Sequence, residues 1–335
     1  MSDDSRFRVA LFGAGRIGLI HADNIARHPR LELTVVCSSR IESADRLAGR
    51  YGSVPTIDAD RAFVEVDAVV IASPNSTHID LMTQAARRGI PALCEKPLDL
   101  DLSRVRASAA ELMDSPSPLM VGFNRRFDAN FAALRNRVTD GEIGRLEQLT
   151  IISRDPAPSP EEYVRTSGGI FCDMTIHDFD MARFFVPDLV EVHAYGANAF
   201  SDYTKDAGDF DSAVVTIRGS NDELITIVNS RHCAYGYEQR LEAFGSDGML
   251  NMGDVLPTTI CKSSGQGTGQ RAPISTSFLD RYSDAYVAEL DAFVTAIETK
   301  APVGPDYLDG LRALELAYAA TESAQTRRSV QLSSS

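Results

Sequence analysis

The sequence predicts an α/β protein of two domains: a doubly wound parallel sheet over residues 1–122, then an α+β domain with a mainly antiparallel sheet over residues 123–335. Three observations predict it. Early in the chain, short continuous apolar runs alternate with helical patterns, as in a parallel sheet covered on both faces. Past residue 145 the runs alternate apolar and polar residues and are separated by turn residues, as in an antiparallel meander. A length of 335 residues also exceeds the usual size of one compact domain.

The elements follow in order. Residues 7–12 (FRVALF) form a β-type run, and GAGRIG at 13–18 follows directly. A helical pattern through Ile17, Ile20, Ile25 and Ala26 stops at His28-Pro29, and residues 31–37 (LELTVVC) give a second strand. SADRLAGRYG is helical, VDAVVIAS at 66–73 is a strand, and residues 76–89 form a helix capped by Ser76 and Thr77 and closed by Gly89. IPALCEKP supplies the next strand. The second domain carries LEQLTIIS, VEVHAYGANAF, SAVVTIRGS, ELITIVNSRH and QRLEAFGS, with turns at 219–222 and 245–248. Helices at about 283–299 and 306–325 close the chain, and no internal repeat is visible.

Composition narrows the function. The chain is 44% apolar and 24% charged, enough to fill two cores. Its net charge of −14, spread along the chain, argues against nucleic acid or an anionic membrane as partner. The five cysteines (37, 94, 172, 233 and 261) are scattered and show no metal or disulfide spacing. No leader pattern or membrane-length run is present, so a cytoplasmic protein acting on a small molecule is expected.

The Gly-x-Gly-x-x-Gly turn gains its meaning from context, since it follows a strand and opens the first helix of a βαβ unit. Gly13 permits the tight turn, Gly15 lets the backbone approach a pyrophosphate, and Gly18 lets helix and strand pack closely, with Arg16 and Ile17 between them. The acidic residue expected about 20 positions on to hold the ribose hydroxyls is absent. Cys37-Ser38-Ser39-Arg40 stands there instead. Small hydroxyls followed by a guanidinium suit a 2′-phosphate, so NAD and NADP both remain, with NADP favoured. Pro74, Asn75, His78 and Glu95 complete the expected cofactor set.

Two further features carry chemistry. CEKP at 94–97 places Lys96 at the carboxyl end of a parallel strand, where ligands bind in such sheets. Its ammonium can bond a substrate hydroxyl there. In GGIFCDMTIHDFDMARFF (168–185), Asp173 and His177 are four apart and share one face of a helix. By spacing alone they form a surface pair. Behind a dinucleotide turn, the histidine becomes a base for a hydroxyl proton and the carboxylate its support.

GAGRIG, CEKP, GFNRRFD and the 168–185 helix together resemble the Gfo/Idh/MocA oxidoreductases, and within them the inositol 2-dehydrogenases, over nearly the whole chain. The resemblance implies a Rossmann domain followed by a domain with a large open sheet, whose outer face makes homodimer or homotetramer contacts. It implies Lys96, Asp173 and His177 as catalytic residues without a metal. It places Asn124, Arg125, Asp155, Asp180, Tyr235 and Tyr286 around the substrate. Asn124 and Ser153 stand where some inositol enzymes carry a bulkier apolar residue and a histidine. The implied reaction is oxidation of a cyclitol hydroxyl to a ketone. The alternatives are the same chemistry on another sugar, deoxysugar or dihydrodiol, and a cofactor-binding regulator without turnover.

Overall fold

The computed structural model describes residues 6–332, so the acidic start and the serine tail lie outside the described residues. Two compact units are present. One comprises the described residues up to Asn124 together with Ala285–Arg312, and the other Arg125–Asp284 with the residues from Ala313 on.

The first unit runs β1 (Phe7–Phe12), α1 (Arg16–Arg27), β2 (Leu31–Cys37), α2 (Ile41–Tyr51), β3 (Val54–Thr56), α3 (Ala59–Ala62), β4 (Ala68–Ile71), α4 (His78–Arg88), β5 (Ala92–Glu95), α5 (Leu102–Met113) and β6 (Leu119–Gly122). The sheet order is β3-β2-β1-β4-β5-β6, and every pairing is parallel. Every residue of β4, β5 and β6 is buried, which is why these strands read as unbroken apolar runs. The order reverses between β1 and β4, and ligands bind such sheets at that crevice. Thr77 does not cap α4 with its side chain, contrary to expectation. Its hydroxyl donates to the Pro74 carbonyl, because a short 3₁₀ turn, Asn75–Thr77, precedes the helix.

The second unit contains α6 (Ala129–Thr139), β7 (Leu146–Arg154), α7 (Glu161–Val164), α8 (Ile176–Phe185), β8 (Leu189–Ala197), α9 (Asp202–Asp206), β9 (Ser212–Gly219), β10 (Leu224–Ser230), β11 (Glu238–Gly245), β12 (Gly248–Met252) and an exposed hairpin, β13 (Cys261–Ser264) and β14 (Gly267–Arg271). The last elements are α10 (Phe278–Thr299), α11 (Tyr307–Thr326) and β15 (Val330–Gln331). Seven strands make a sheet of order β12-β11-β7-β10-β9-β8-β15. One pair departs from the expected meander: β7 and β10 are parallel, since β7 inserts between two later hairpins. Burial alternates along β9, β10 and β11, so one face carries the core (Val215, Ile217, Ile225, Ile227, Leu241) and the other is open.

The expected second domain of 123–335 needs one correction. Ala285–Arg312 belongs with the first unit. Tyr307 explains part of this, because its buried ring sends the hydroxyl to the Val105 carbonyl, and Val121 N donates to Pro305 O. Among the described residues no helix is long and apolar enough to cross a membrane.

Candidate active site

In the first unit the Gly-rich turn is built as a dinucleotide cradle requires. Gly13 has φ +107°, and a Cβ there would lie 2.2 Å from the Ala72 carbonyl oxygen. A Cβ at Gly18 would lie 2.1 Å from Gly13 O, so these two glycines serve close packing. At Gly15 a Cβ would meet nothing within 4 Å, and the exposed backbone there faces open space. Gly15 also caps α1 without a side-chain bond, leaving the first amides of the helix to meet an anion. The residues present therefore fit a dinucleotide pyrophosphate. Arg16 is exposed beside Gly15 and Ile17 is half-buried.

At the end of β2, Ser38 is half-buried and Ser39 and Arg40 are exposed. Sequence reasoning missed a carboxylate that acts on this corner. Asp58 caps α3 through Arg61 N at 3.2 Å, and its charge adds to burial in pushing the Cys37 thiol up to about 11.

After β4 come Pro74, exposed, and Asn75, half-buried; after β5 comes Lys96, half-buried; after β6 comes Asn124, buried. They occupy the carboxyl ends of their strands. Two residues expected at the cofactor have buried partners within the unit. His78 is buried and bridges two carbonyls, with Nδ1 2.8 Å from Pro97 O and Nε2 2.8 Å from Ser73 O. Glu95 is buried with Oε1 2.9 Å from His21 Nε2, in space that Gly122 leaves open. Lys96 thus lies between two residues that buried imidazoles hold, Glu95 through its carboxylate and Pro97 through its carbonyl. Tyr286, expected at the substrate, lies in the first unit with its ring edge-on to His21 at 5.7 Å. Near it Glu289 is fully buried, and neither carboxylate oxygen finds a hydrogen-bond partner among the described residues. Burial first, and the neighbouring Glu95 second, push its carboxyl well above the usual range.

In the second unit the 168–185 stretch is not one continuous α-helix. Phe171–Thr175 forms a π-helical turn that leads into α8. Asp173 therefore lies in the π turn and His177 in the first turn of α8, and both are half-buried. A π turn inserts an extra residue and recurs at functional sites. Asp173 accepts from Tyr163 Oη at 2.7 Å and from Arg231 Nη1 at 3.1 Å. Gly169, at φ +85°, passes close to Asp209, where a Cβ would stand 3.0 Å from Oδ1. Gly169 thereby admits Asp209, whose Oδ1 accepts from Ile170 N at 2.8 Å.

Asp155 is half-buried at the end of β7, and enclosure, then the charge of Asp173, push its carboxyl up to about 6. A group perturbed in this way by burial and a named neighbour is a functional-site candidate. The other expected substrate residues have structural partners. Arg125 is buried, 2.5 Å from Asp178 and 3.2 Å from the Ser153 hydroxyl. Asp180 is buried in a two-pronged pair with Arg126, at 2.6 and 3.0 Å. Tyr235 is exposed and accepts from Arg154 at 3.2 Å. Cys172 is buried, its thiol pushed up to about 12 by that burial.

Residues 7–123 match the family described as an oxidoreductase family with an NAD-binding Rossmann fold, and residues 131–251 match the GFO/IDH/MocA C-terminal domain. The chain belongs to the GFO/IDH/MocA oxidoreductase family. Inositol 2-dehydrogenase of Rhizobium meliloti (strain 1021) is 44% identical over 327 residues, covering 97% of this chain and 99% of the relative. A crystal structure of a myo-inositol dehydrogenase from Corynebacterium glutamicum is 55% identical, with a TM-score of 0.95 over 98% of this chain and 100% of that one. A scyllo-inositol dehydrogenase from Lactobacillus casei, solved with NAD(H) and scyllo-inositol, is 28% identical with a TM-score of 0.91, covering 98% of this chain and 99% of that one. Membership makes the first unit an NAD-binding domain. The two-unit order, the Gly-rich cradle and the oxidoreductase assignment then stand together.

Proposed function

We propose that this GFO/IDH/MocA protein oxidises a ring secondary hydroxyl of a cyclitol, of the myo- or scyllo-inositol type, to the ketone. The observation that carries the reading is the charged turn of the second unit. It presents a half-buried histidine just after a carboxylate held by a buried arginine. The inositol dehydrogenases similar along the whole chain support the substrate class.

When bound, the nicotinamide supplies the hydride acceptor, and Gly13, Gly15, Arg16, Ile17, Gly18, Pro74 and Asn75 are the residues assigned to hold the dinucleotide. His177 takes the hydroxyl proton on a ring nitrogen as the carbon–hydrogen bond breaks. Asp173 supports it electrostatically. The Lys96 ammonium donates to the hydroxyl oxygen and lowers its proton affinity. Asp155 is assigned to the polyol, whereas Arg125 and Asp180 brace the walls through their buried pairs. Asn124 and Tyr235 are assigned to the polyol on the resemblance, and Tyr286 to the support of His21.

Ser38, Ser39 and Arg40 support use of NADP as well as NAD. Val214, Leu224, Phe244 and Met249, exposed on the open face of the sheet, support a homodimer or homotetramer. Five free cysteines, four of them buried, suit a reducing cytoplasm.

The test is a panel of inositols and aldoses assayed with NAD and NADP. Reduction of cofactor with an inositol in preference to aldoses is expected, and turnover of aldoses alone would overturn the substrate class. Arg40→Ala is expected to weaken NADP much more than NAD. Equal weakening of both removes the 2′-phosphate argument.

A further inference from the structure

We infer that Arg231 is a positioning residue for this oxidation: its buried guanidinium, joined at once to Asp173 and Asp209, locks the glycine-led π turn and sets the charge around Asp173 and Asp155. The inference rests on the reading of His177 and Asp173 given above.

The geometry is that of a staple. Arg231 directly follows β10, and its side chain is 1% exposed. Nη1 donates to Asp173 Oδ2 at 3.1 Å and Nη2 to Asp209 Oδ2 at 3.2 Å. Asp209 uses its other oxygen on Ile170 N, at the entrance of the turn, while Asp173 sits in the middle of it. The turn is therefore gripped at residues 170 and 173 by one cation and its two carboxylates. Thr175 closes it, its hydroxyl donating to Asn229 Oδ1 at 2.7 Å while lying 3.2 Å from Ile170 O. Tyr163 Oη takes the remaining oxygen of Asp173. A buried cation with two carboxylate partners is costly to break, because removal strands the partners' charge.

The second consequence is electrostatic. The ionisable groups acting on this region are Asp155 after β7, Tyr163 in α7, Cys172 and Asp173 in the π turn, His177 and Asp178 in α8, Asp209 before β9, Tyr237 before β11, Arg125 and Arg231. Asp155 is held up by burial and by Asp173, and Arg231 pulls against both. Changing the charge at Arg231 must therefore move the titration of Asp155 in a direction that depends on sign. Loss of the guanidinium moves it upward. Neutralising Asp209 leaves more of the guanidinium's charge for Asp155 and moves it downward.

The experiment measures kcat, KM and the pH profile of kcat/KM for Arg231→Leu, Arg231→Lys and Asp209→Asn, using NAD and the best inositol, with circular dichroism as a folding control. Arg231→Leu is expected to lower kcat roughly 10²-fold, the loss associated with small misplacement of reacting groups, and to move the acid limb to higher pH. Arg231→Lys restores the limb and recovers part of kcat, since it returns the charge but not the two-pronged grip. Asp209→Asn moves the limb to lower pH with a several-fold loss of kcat, and it serves as the test if Arg231→Leu does not fold. An acid limb that is unmoved, or that moves the same way in both charge variants, overturns the inference. Asp173→Asn and His177→Ala separate its failure from that of the parent reading. If those two retain turnover, the site itself is misassigned; if they lose it while the Arg231 and Asp209 variants stay normal, only the staple is wrong.

Discussion

Glu289 shows how much a single buried side chain can say. Its carboxyl is held well above the usual range by burial and by Glu95, so the native state keeps a proton that the unfolded chain releases once pH passes the ordinary glutamate value. The unfolded state then binds fewer protons than the native one, and stability falls as pH rises toward the native value. Glu289→Gln removes that penalty. It is expected to match the wild type in thermal melting at acid pH and to melt at a higher temperature near neutrality; a variant that loses stability at both pH values contradicts a protonated Glu289. At the same scale, short motifs draw attention to Lys96, Asp173 and His177, the proposed site residues. Arg231 and Glu289 carry no such mark. Arg231 meets Asp173 from 58 positions away in the chain, and neither it nor Glu289 lies in a local pattern that announces a partner. His78 and Glu95, expected at the cofactor, have side chains that meet Pro97, Ser73 and His21, partners that no local pattern announces.

Among the elements, the π turn is the least visible from sequence and the most consequential. Spacing of four predicts a shared α-helical face, and nothing local in FCDMT distinguishes an α turn from a π turn. The distinction comes from Asp209 and Arg231, which grip residues 170 and 173 from elsewhere in the unit. Gly169 is the one local sign. Its φ of +85° and the 3.0 Å approach of Asp209 Oδ1 to a Cβ position both disfavour any side chain. Gly169→Ala is expected to cost about 1–3 kcal/mol of stability and to lower kcat, measured by denaturant unfolding and steady-state assay; an unchanged unfolding midpoint would contradict the strained turn. The strands of the second unit were legible through alternation and through the turns at 219–222 and 245–248. The parallel β7–β10 pair was not, because alternation specifies a buried face and not a partner.

At the scale of the whole molecule, the order of an α/β unit followed by an α+β unit was legible from the change in hydrophobic period. The return of Ala285–Arg312 to the first unit was not, since a helical pattern late in the chain carries no record of which core receives it. That return matters chemically, because it brings Tyr286 to His21 and Glu289 to Glu95, the residue that precedes Lys96. The account assigns proton removal to His177. The most direct test of its central claim is the rate of NAD reduction by an inositol in the wild type and in His177→Ala, with NAD affinity measured alongside. The account predicts NAD binding preserved and turnover reduced roughly 10²–10⁴-fold, the contribution of a general base. Near-normal turnover in the variant would contradict it.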